Sequence, residues 1–567
     1  MKGHSILFGA ACWLVFIFNV PATVFYVDVN STNPVSPYAD WSTASTDIQS
    51  AIDVSTNGDL ILVTNGLYNT GGRVVYDALT NRVVINKAVT VQSVNGPSVT
   101  VIQGYQVSQG STAYNNDVRC VYMTNYVVLD GFAITGGAAP ASGGGVFCES
   151  TNSILTNCVL NNNLCSLSDF SAGGGAIYQG TLNGCILSNN LANYVNGGAA
   201  YYSVLNNCLI ISNTAGLGGG AAFSTLNHST VIGNVATSHL QFVFGGGTFF
   251  CTANDCLIAG NCCIGLVVNI GYGGGDCAGI LNGCILSNNV AAYGGGGARL
   301  TDIGTLNNCL VISNTASING GGIYGVPVYN STIIGNTATM NMGGGVYGGS
   351  FRNCIIYGNT CNSSHPNACN FGSGSFVYCC TTPLPGGIGN ITNDPVFVNL
   401  ADDDFHLQSN SPCINSGNNT YVTNNDLDGN PRIVSGTVDM GAYEFQSPVS
   451  QISYAWLYQY GLPINASTDF SDADGDGMSN YAEWKAGTNP TNSASVLALQ
   501  APATTNTTGI TVTWQSVSGV TYYLQSSTNL PAYTAIQSNI VGQAGTTSYT
   551  DTTATNGGPY FYRVGVQ

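Results

Sequence analysis

The phrase LNNCLVISNTASINGGGIYG, residues 306–325, recurs along this chain at a spacing too short for a domain and too regular for chance. Aligned on its cysteine, the equivalent positions are Cys158, Cys185, Cys208, Ser229, Cys256, Cys284, Cys309, Ser331 and Cys354, separated by 21 to 28 residues. An internal period of this length marks a stacked repeat architecture. Three residues before each stands Leu155, Leu182, Leu205, Leu226, Ala253, Leu281, Leu306, Val328 or Phe351. Two residues after it come Leu160, Leu187, Ile210, Val231, Ile258, Leu286, Val311, Ile333 and Ile356, so an apolar column runs through every copy. An asparagine follows four or five places on, at Asn162, Asn189, Asn213, Asn234, Asn261, Asn288, Asn314, Asn336 and Asn359, and glycine runs such as 173–175, 218–220, 245–247 and 343–345 separate the copies.

Short aliphatic pieces with period-two alternation, broken by Gly and Asn that tolerate left-handed backbone, predict strand-turn-strand units rather than helices. One copy of about 24 residues cannot bury its own apolar face, whereas stacked copies bury a continuous core and satisfy each other's backbone groups. The expectation is a parallel β-solenoid, with the recurring asparagines forming a ladder of side-chain amides. At a strand spacing of about 4.8 Å, nine coils make a rod on the order of 40 Å long.

The pattern Gly-Gly-Gly-apolar-Tyr with Cys-x-Ile-x-x-Asn, over roughly residues 140–360, resembles the right-handed parallel β-helix of pectin-lyase-like proteins, and in particular polymorphic outer-membrane-protein type repeats. The resemblance implies an all-β chain built on that solenoid and is poor for function, because the fold hosts lyases, hydrolases, adhesins and inert stalks. Upstream, FYVDVN through DLILVTNGLY (residues 25–68) resembles the opening of the same fold. TDIQSAID is expected as a short amphipathic helix capping the first coil, followed by strands in DLILV, AVTVQSV and VTVIQG, giving a capped β-helix over residues 23–392. Downstream, NDPVFVNLADDDFHLQSNSPCINSG and DLDGNPRIVSGTVDMGAYEF resemble the choice-of-anchor Q segment, here residues 393–447, which implies surface attachment or export handling. Asp426, Asp428 and Asp439 there are weighed as a cation site against a polar cap with turns at Asp428-Gly429 and Asn430-Pro431, and turn chemistry favours the cap.

The strongest chemical motif is DADGDGMSNYAE, residues 472–483. It satisfies the spacing of a calcium loop, with monodentate oxygens from Asp472, Asp474 and Asp476, the backbone carbonyl of Met478, an oxygen from Asn480 and a bidentate carboxylate from Glu483. Gly477 permits the sharp turn, and ISYAWLYQYGL and YAEWKAG supply flanking helical turns. The motif resembles EF-hand-like, dockerin and thrombospondin type 3 calcium modules, assigned to residues 448–494, and calcium is the expected cofactor with a mechanical role between domains. Residues 495–567 alternate in GITVTWQSV, TYYLQSS and PYFYRVGVQ, the pattern of a small antiparallel β-sandwich similar to immunoglobulin-like or fibronectin type III modules. Trp514 and Tyr562 are expected in its core, and alternation leaves open which face Tyr522 and Tyr523 occupy.

Charge and targeting narrow the partners. Ten Lys and Arg against 27 Asp and Glu, with no basic cluster, give a net charge of −17 and argue against nucleic acid. Lys2 and His4 precede an apolar run from Ile6 to Val20, and VPA ends at Ala22, which predicts a signal peptide over residues 1–22 and a secreted or surface-displayed chain. That run is shorter than the roughly 20 residues a spanning helix needs, and no integral membrane segment is expected in the mature chain. Of 20 cysteines, seven fall in the repeat column and are expected as stacked core residues with an occasional bridge between neighbouring rungs. Cys262-Cys263, Cys369 and Cys379-Cys380 are the raw material for a zinc alternative, which the lack of Cys-x-x-Cys spacing with nearby His disfavours.

Catalytic groups are sparse across the repeats: Glu149, Asp169, Asp255, Asp276, Asp302, Arg299, Arg352, His228 and His239. Asp276, Arg299 and Asp302 cluster on neighbouring coils, and Asp276 interrupts a column of small or apolar residues, so these three are the catalytic candidates. Adjacent strand positions face opposite ways, which makes direct pairing of Asp276 with Arg299 doubtful. The scarcity leans against an enzyme and towards a structural, adhesive or carbohydrate-binding role, with Tyr178, Tyr201, Tyr324 and Tyr347 offering a face for a polysaccharide or cell-surface glycan. A polysaccharide lyase or glycoside hydrolase is the alternative, and a passenger of the autotransporter type is disfavoured by the small C-terminal sandwich. Ligand identity and oligomeric state stay open.

Overall fold

The computed structural model describes residues 22–75, 79–107, 116–166, 171–238, 243–266, 270–299, 303–325, 327–362, 364, 368–422, 425–501, 503–505, 509–555 and 557–567. Its described residues fall into two compact units, one within Met1–Ser166 and Gly175–Asn190, the other within Leu167–Gly174 and Leu191–Gln567. In both, the chain winds as a right-handed parallel β-solenoid whose coils each contribute short strands to four parallel sheets, here I to IV in order along a coil.

Sheet I carries the column before the cysteine. In the first unit Phe25, Ile61, Val91, Leu129, Leu155 and Leu182 pair in register, and in the second Leu205, Leu226, Ala253, Leu281, Leu306, Val328, Phe351 and Phe376 do so. Sheet II stacks Ile102, Ile134, Leu160 and Leu187, then separately Ile210, Val231, Ile258, Leu286, Val311, Ile333 and Ile356. These side chains are buried, so the apolar columns read in the sequence are the inner wall. The helix α1, Ile48–Val54, begins at Asp47, whose side chain accepts the Ser50 N–H, and buries Ile48, Ala51 and Ile52. That is the predicted opening helix.

What bends the chain between sheets is a left-handed residue at two fixed positions. The residue before each cysteine or serine of the column has φ between 48° and 61° in all nine copies, from Asn157 to Asn353. A second corner follows sheet II, where Asn162, Asn189, Ser212, Gly233, Gly260, Asn288, Ser313, Gly335 and Gly358 have φ between 52° and 66°. Gly and Asn reach this region at the least cost.

The second corner also corrects the expected ladder. Where two asparagines adjoin, the first turns the corner in solvent and the second turns inward, so the file uses Asn163, Asn190 and Asn289 in place of Asn162, Asn189 and Asn288. In the second unit, Asn234 sends its backbone N–H and its Nδ2 to Oδ1 of Asn261 at 2.9 and 3.0 Å, and Asn261 repeats both bonds to Asn289 at 2.9 and 3.0 Å. Remaining amide protons go back to the preceding coil, as from Asn261 to the Val231 carbonyl at 2.9 Å. The file is buried and continues through Asn314, Asn336, Asn359 and Asn370. The cysteine column works similarly: the Cys158 N–H meets Sγ of Cys185 at 3.4 Å, and the Cys208 N–H meets Oγ of Ser229 at 3.1 Å. A small acceptor is needed there, and this is why Ser and Cys interchange.

The described residues of 393–447 pack along the outer face of sheet II. Outward-facing Leu310, Ile312, Ile334 and Ile355 share one apolar cluster with Phe397, Phe405, Leu407, Cys413, Ile414 and Met440. Corner asparagines fasten the segment, Asn330 to the Tyr421 carbonyl at 2.7 Å and Asn353 to the Asn418 carbonyl at 2.9 Å. Ile452, Tyr454 and Leu457 of the following stretch join the same cluster, with the helix α2, Tyr454–Tyr460, and the helix α3, Asn480–Ala486, on its flank. The C-terminal stretch forms two three-stranded antiparallel sheets over a core of Val512, Trp514, Tyr522 and Leu524. Tyr522 is thus an inside residue, while Tyr562 is half-buried and donates its hydroxyl to Asp551 at 3.0 Å.

Candidate functional site

Asp276 lies in sheet IV, in the inward column Ala200, Ala221, Thr248, Asp276, Ala298, Ile323 and Val346. It is completely enclosed. Thr248 donates its hydroxyl to Oδ1 at 2.7 Å and the Gly279 N–H reaches Oδ2 at 2.9 Å. Burial pushes the carboxyl up to about 7, against the pull of those two donors. Arg299 pairs with Cys277 in the register and faces outward, its Cζ 4.3 Å from the ring centre of Tyr272 and 5.2 Å from that of Phe244. The structure therefore separates the two candidates, and Asp302 lies outside the described residues, as do Asp169 and His239. His228 and Asp255 are solvent-facing corner residues 3.7 Å apart, Glu149 accepts the Tyr122 hydroxyl at 2.6 Å, and Arg352 stacks 4.8 Å over Tyr421.

Around Arg299, the outer surface of sheet IV carries an aromatic stripe in the second unit. Tyr201, Tyr202, Phe223, Phe249, Phe250, Phe244, Tyr272, Tyr293, Tyr324 and Tyr347 form an unbroken chain of ring contacts, with centroids 4.3 to 6.1 Å apart. Tyr201 and Phe249 are buried beneath it; Tyr202 is exposed, and the rest are half-buried. In the first unit, Tyr122, Phe147 and Tyr178 stack in the same column with Arg119 over Phe147 at 5.0 Å. Offset and edge contacts of this kind are worth about 0.5–1.5 kcal/mol a pair, and Arg over a ring adds to them. The four sequence-nominated tyrosines all belong to these arrays. Phe223, Phe244, Phe250 and Tyr293 were missed because they sit in corners and insertions, off the repeat column.

The acidic loop brings its three aspartates together. One carboxylate oxygen each from Asp472, Asp474 and Asp476 lies within 4.8 Å of the others. Asp472 is held by the Gly475 and Gly477 N–H groups at 2.8 and 2.9 Å, which keep its carboxyl below the usual range. Asp476 Oδ1 accepts the Met478 N–H at 2.8 Å, and Ser479 caps α3, which places Asn480 and Glu483 on its first turn. Four oxygens are buried without a hydrogen-bond partner: Oδ2 of Asp474, Oδ2 of Asp476, Oδ1 of Asn480 and Oε2 of Glu483. Burial, reinforced by the negative charge of Asp474 and Asp476, pushes the Glu483 carboxyl up to about 7. Buried acceptors left unpaired are costly, and hard oxygens in this number fit a hard divalent cation.

The carboxylates weighed as a second cation site have protein partners. Asp426 Oδ1 accepts the Asp428 and Asn430 N–H groups at 3.1 and 2.8 Å, closing the turn expected there, and its Oδ2 accepts the Glu444 N–H at 3.0 Å. Asp439 accepts N–H groups from Asn415 and Phe445, both at 2.7 Å. His406 bridges Asp404 and Asp428 at 2.6 Å each and lies 4.2 Å from the Tyr443 ring. Cys369 is disulfide-bonded to Cys361, and burial drives the thiols of Cys263 and Cys379 well up.

No known family profile matches the sequence, and no curated protein matches it. Among solved structures the chain is similar to a pectate lyase at 15% identity and a TM-score of 0.32, over 74% of this chain and 96% of that one. It is similar to a rhamnogalacturonan lyase at 12% identity and a TM-score of 0.32, over 67% and 92% of the two chains. An α-1,3-glucanase catalytic unit from Streptomyces thermodiastaticus aligns at 14% identity and a TM-score of 0.27, over 61% and 65%. Likeness this distant adds nothing to the parallel registers, which establish the solenoid by themselves.

Proposed function

We propose that this chain is a secreted or surface-displayed polysaccharide-binding solenoid, with the aromatic stripe on sheet IV as its binding face. The observation that carries the reading is the continuous run of half-buried rings around Arg299. The C–H faces of sugar rings are apolar and stack on aromatic planes, and a row repeated coil after coil suits a polymer rather than a small solute. A purely structural stack is the competing account of the same rings. A lyase or hydrolase role has less support, since the enclosed Asp276 carboxyl cannot touch a polymer and Arg299 faces the other way.

In the same reading the loop from Asp472 to Glu483 holds calcium through the oxygens left unpaired in it. The ion supplies positive charge that offsets four crowded carboxylates, while the chain's own residues fix the loop: Gly475 and Gly477 orient Asp472, and Ser479 starts the helix that carries Glu483. Sedimentation of the mature protein with insoluble polysaccharides, with calcium and with chelator, tests the proposal. Retention that falls about tenfold in Tyr272→Ala and Tyr324→Ala supports it. Unchanged retention in folded variants assigns the rings to structure alone, and release of reducing ends or unsaturated uronates would restore the enzyme reading.

A further inference from the structure

A cleft of about 980 Å³ opens between the loop around Asn393, the loop at 415–420, α2 and α3. Its volume is at the upper end of what small-ligand sites offer, roughly 300–1,000 Å³. Its chemistry differs from that of the stripe. Asn393, Asn415, Asn418 and Asn419 line it together with Trp456 of α2 and Trp484 of α3, and Lys485 is the one charged side chain among the residues that do so.

Hydrogen-bond accounting shows what the amides leave open. Oδ1 of Asn418 accepts the Thr420 N–H at 2.8 Å and Oδ1 of Asn419 accepts the Val438 N–H at 2.8 Å, which pins both side chains. Their Nδ2 groups make no hydrogen bond among the described residues. Fixed donors beside half-buried indoles match hydroxyl groups on a ring with apolar C–H faces. A phosphate-rich ligand is disfavoured, because one lysine, whose Nζ already lies 4.3 Å over the Trp484 ring, cannot balance it.

We propose that this cleft is a second saccharide site, which takes a short, largely uncharged oligosaccharide. It stands on different residues from the stripe and does not depend on that reading. The test is titration calorimetry on the mature full chain with calcium, using short neutral oligosaccharides from glucan, mannan, galactan and xylan. The expected result is binding of at least one of them, weakened about tenfold or more by Trp484→Ala and by Asn393→Ala and unchanged by His228→Ala, a solvent-facing corner residue outside both the cleft and the stripe. Asn393 is exposed, so its variant decides the matter if Trp484→Ala fails to fold. Absence of binding across the panel overturns the proposal, as does parental affinity in a folded Asn393→Ala protein.

Discussion

Asp276 and Arg299 occupy successive coils one register step apart, and that single step puts them on opposite faces of the same wall. Asp276 pairs with Ala298 and points inward, while Cys277 pairs with Arg299 and points out. Successive residues of a strand alternate faces, so closeness in the alignment of coils is not closeness in space. The carboxyl belongs to the core and the guanidinium to the aromatic surface.

Asp276→Asn is expected to be nearly neutral at acidic pH, because the amide oxygen can accept the Gly279 N–H while the Thr248 hydroxyl turns to accept from Nδ2. The parent carboxyl titrates near 3.8 when unfolded and about 7 in the fold. Between those values the folded state retains the proton that the unfolded state loses, so its contribution to stability falls as pH rises through the window. Melting curves from pH 4 to 7 should show the parent losing stability relative to the variant.

Asn289→Ala and Asn288→Gly separate the inner file from the corner beside it. Removing the Asn289 amide strips the acceptor from both the backbone N–H and Nδ2 of Asn261, at a cost of about 2–4 kcal/mol. Asn288 is exposed with φ of 53°, where glycine is at home, so its replacement should be nearly neutral. Equal losses in denaturant titrations would refute the inner file.

Calcium should raise the melting temperature, because an ion that binds only the folded loop stabilises by about 2.7 kcal/mol at a hundredfold excess over its dissociation constant. Trp484 follows Glu483 directly on α3, so indole fluorescence should change over the same titration. Asp474→Ala should abolish both responses. A parent protein indifferent to chelator would remove calcium from the proposed function.

His406 should titrate above 6.5. Partial burial opposes its charge, but hydrogen bonds to Asp428 and Asp404 outweigh that and raise it. A raised histidine lends stability below its unfolded value and loses it as pH rises through the folded one. NMR titration of the imidazole gives the value, and His406→Gln should flatten that part of the pH profile.

Much of the wall was legible because its chemistry repeats. Leu205 or Val311 announces an inner column simply by returning on schedule, and the six-residue spacing of Asp472 to Asp476 and Gly477 is rigid enough to imply a folded loop without tertiary help. What stayed hidden depends on which of two neighbours turns inward. Asn288 and Asn289 are the same residue type, and only the left-handed corner decides between them. A further file, in which Asn206, Asn227, Asn254 and Asn282 bond amide to amide at 2.8 to 2.9 Å outside sheet I, stands two places before Cys208, Ser229, Cys256 and Cys284 and passed unread. The lateral seat of residues 393–447 had no local signal either, since Leu310 and Ile312 look like ordinary strand residues until a partner covers them.

The inner asparagine file has a direction. From Asn213 to Asn359, each member gives protons to the next, like figures in a queue who all face the same way. Such a row has two unlike ends, one presenting lone pairs and the other protons, and the protons of Asn370 are absorbed by the Thr382 carbonyl at 2.9 Å. No single kind of stopper can finish both ends of a directed row, and reversing a coil within it would set donor against donor on one side and acceptor against acceptor on the other.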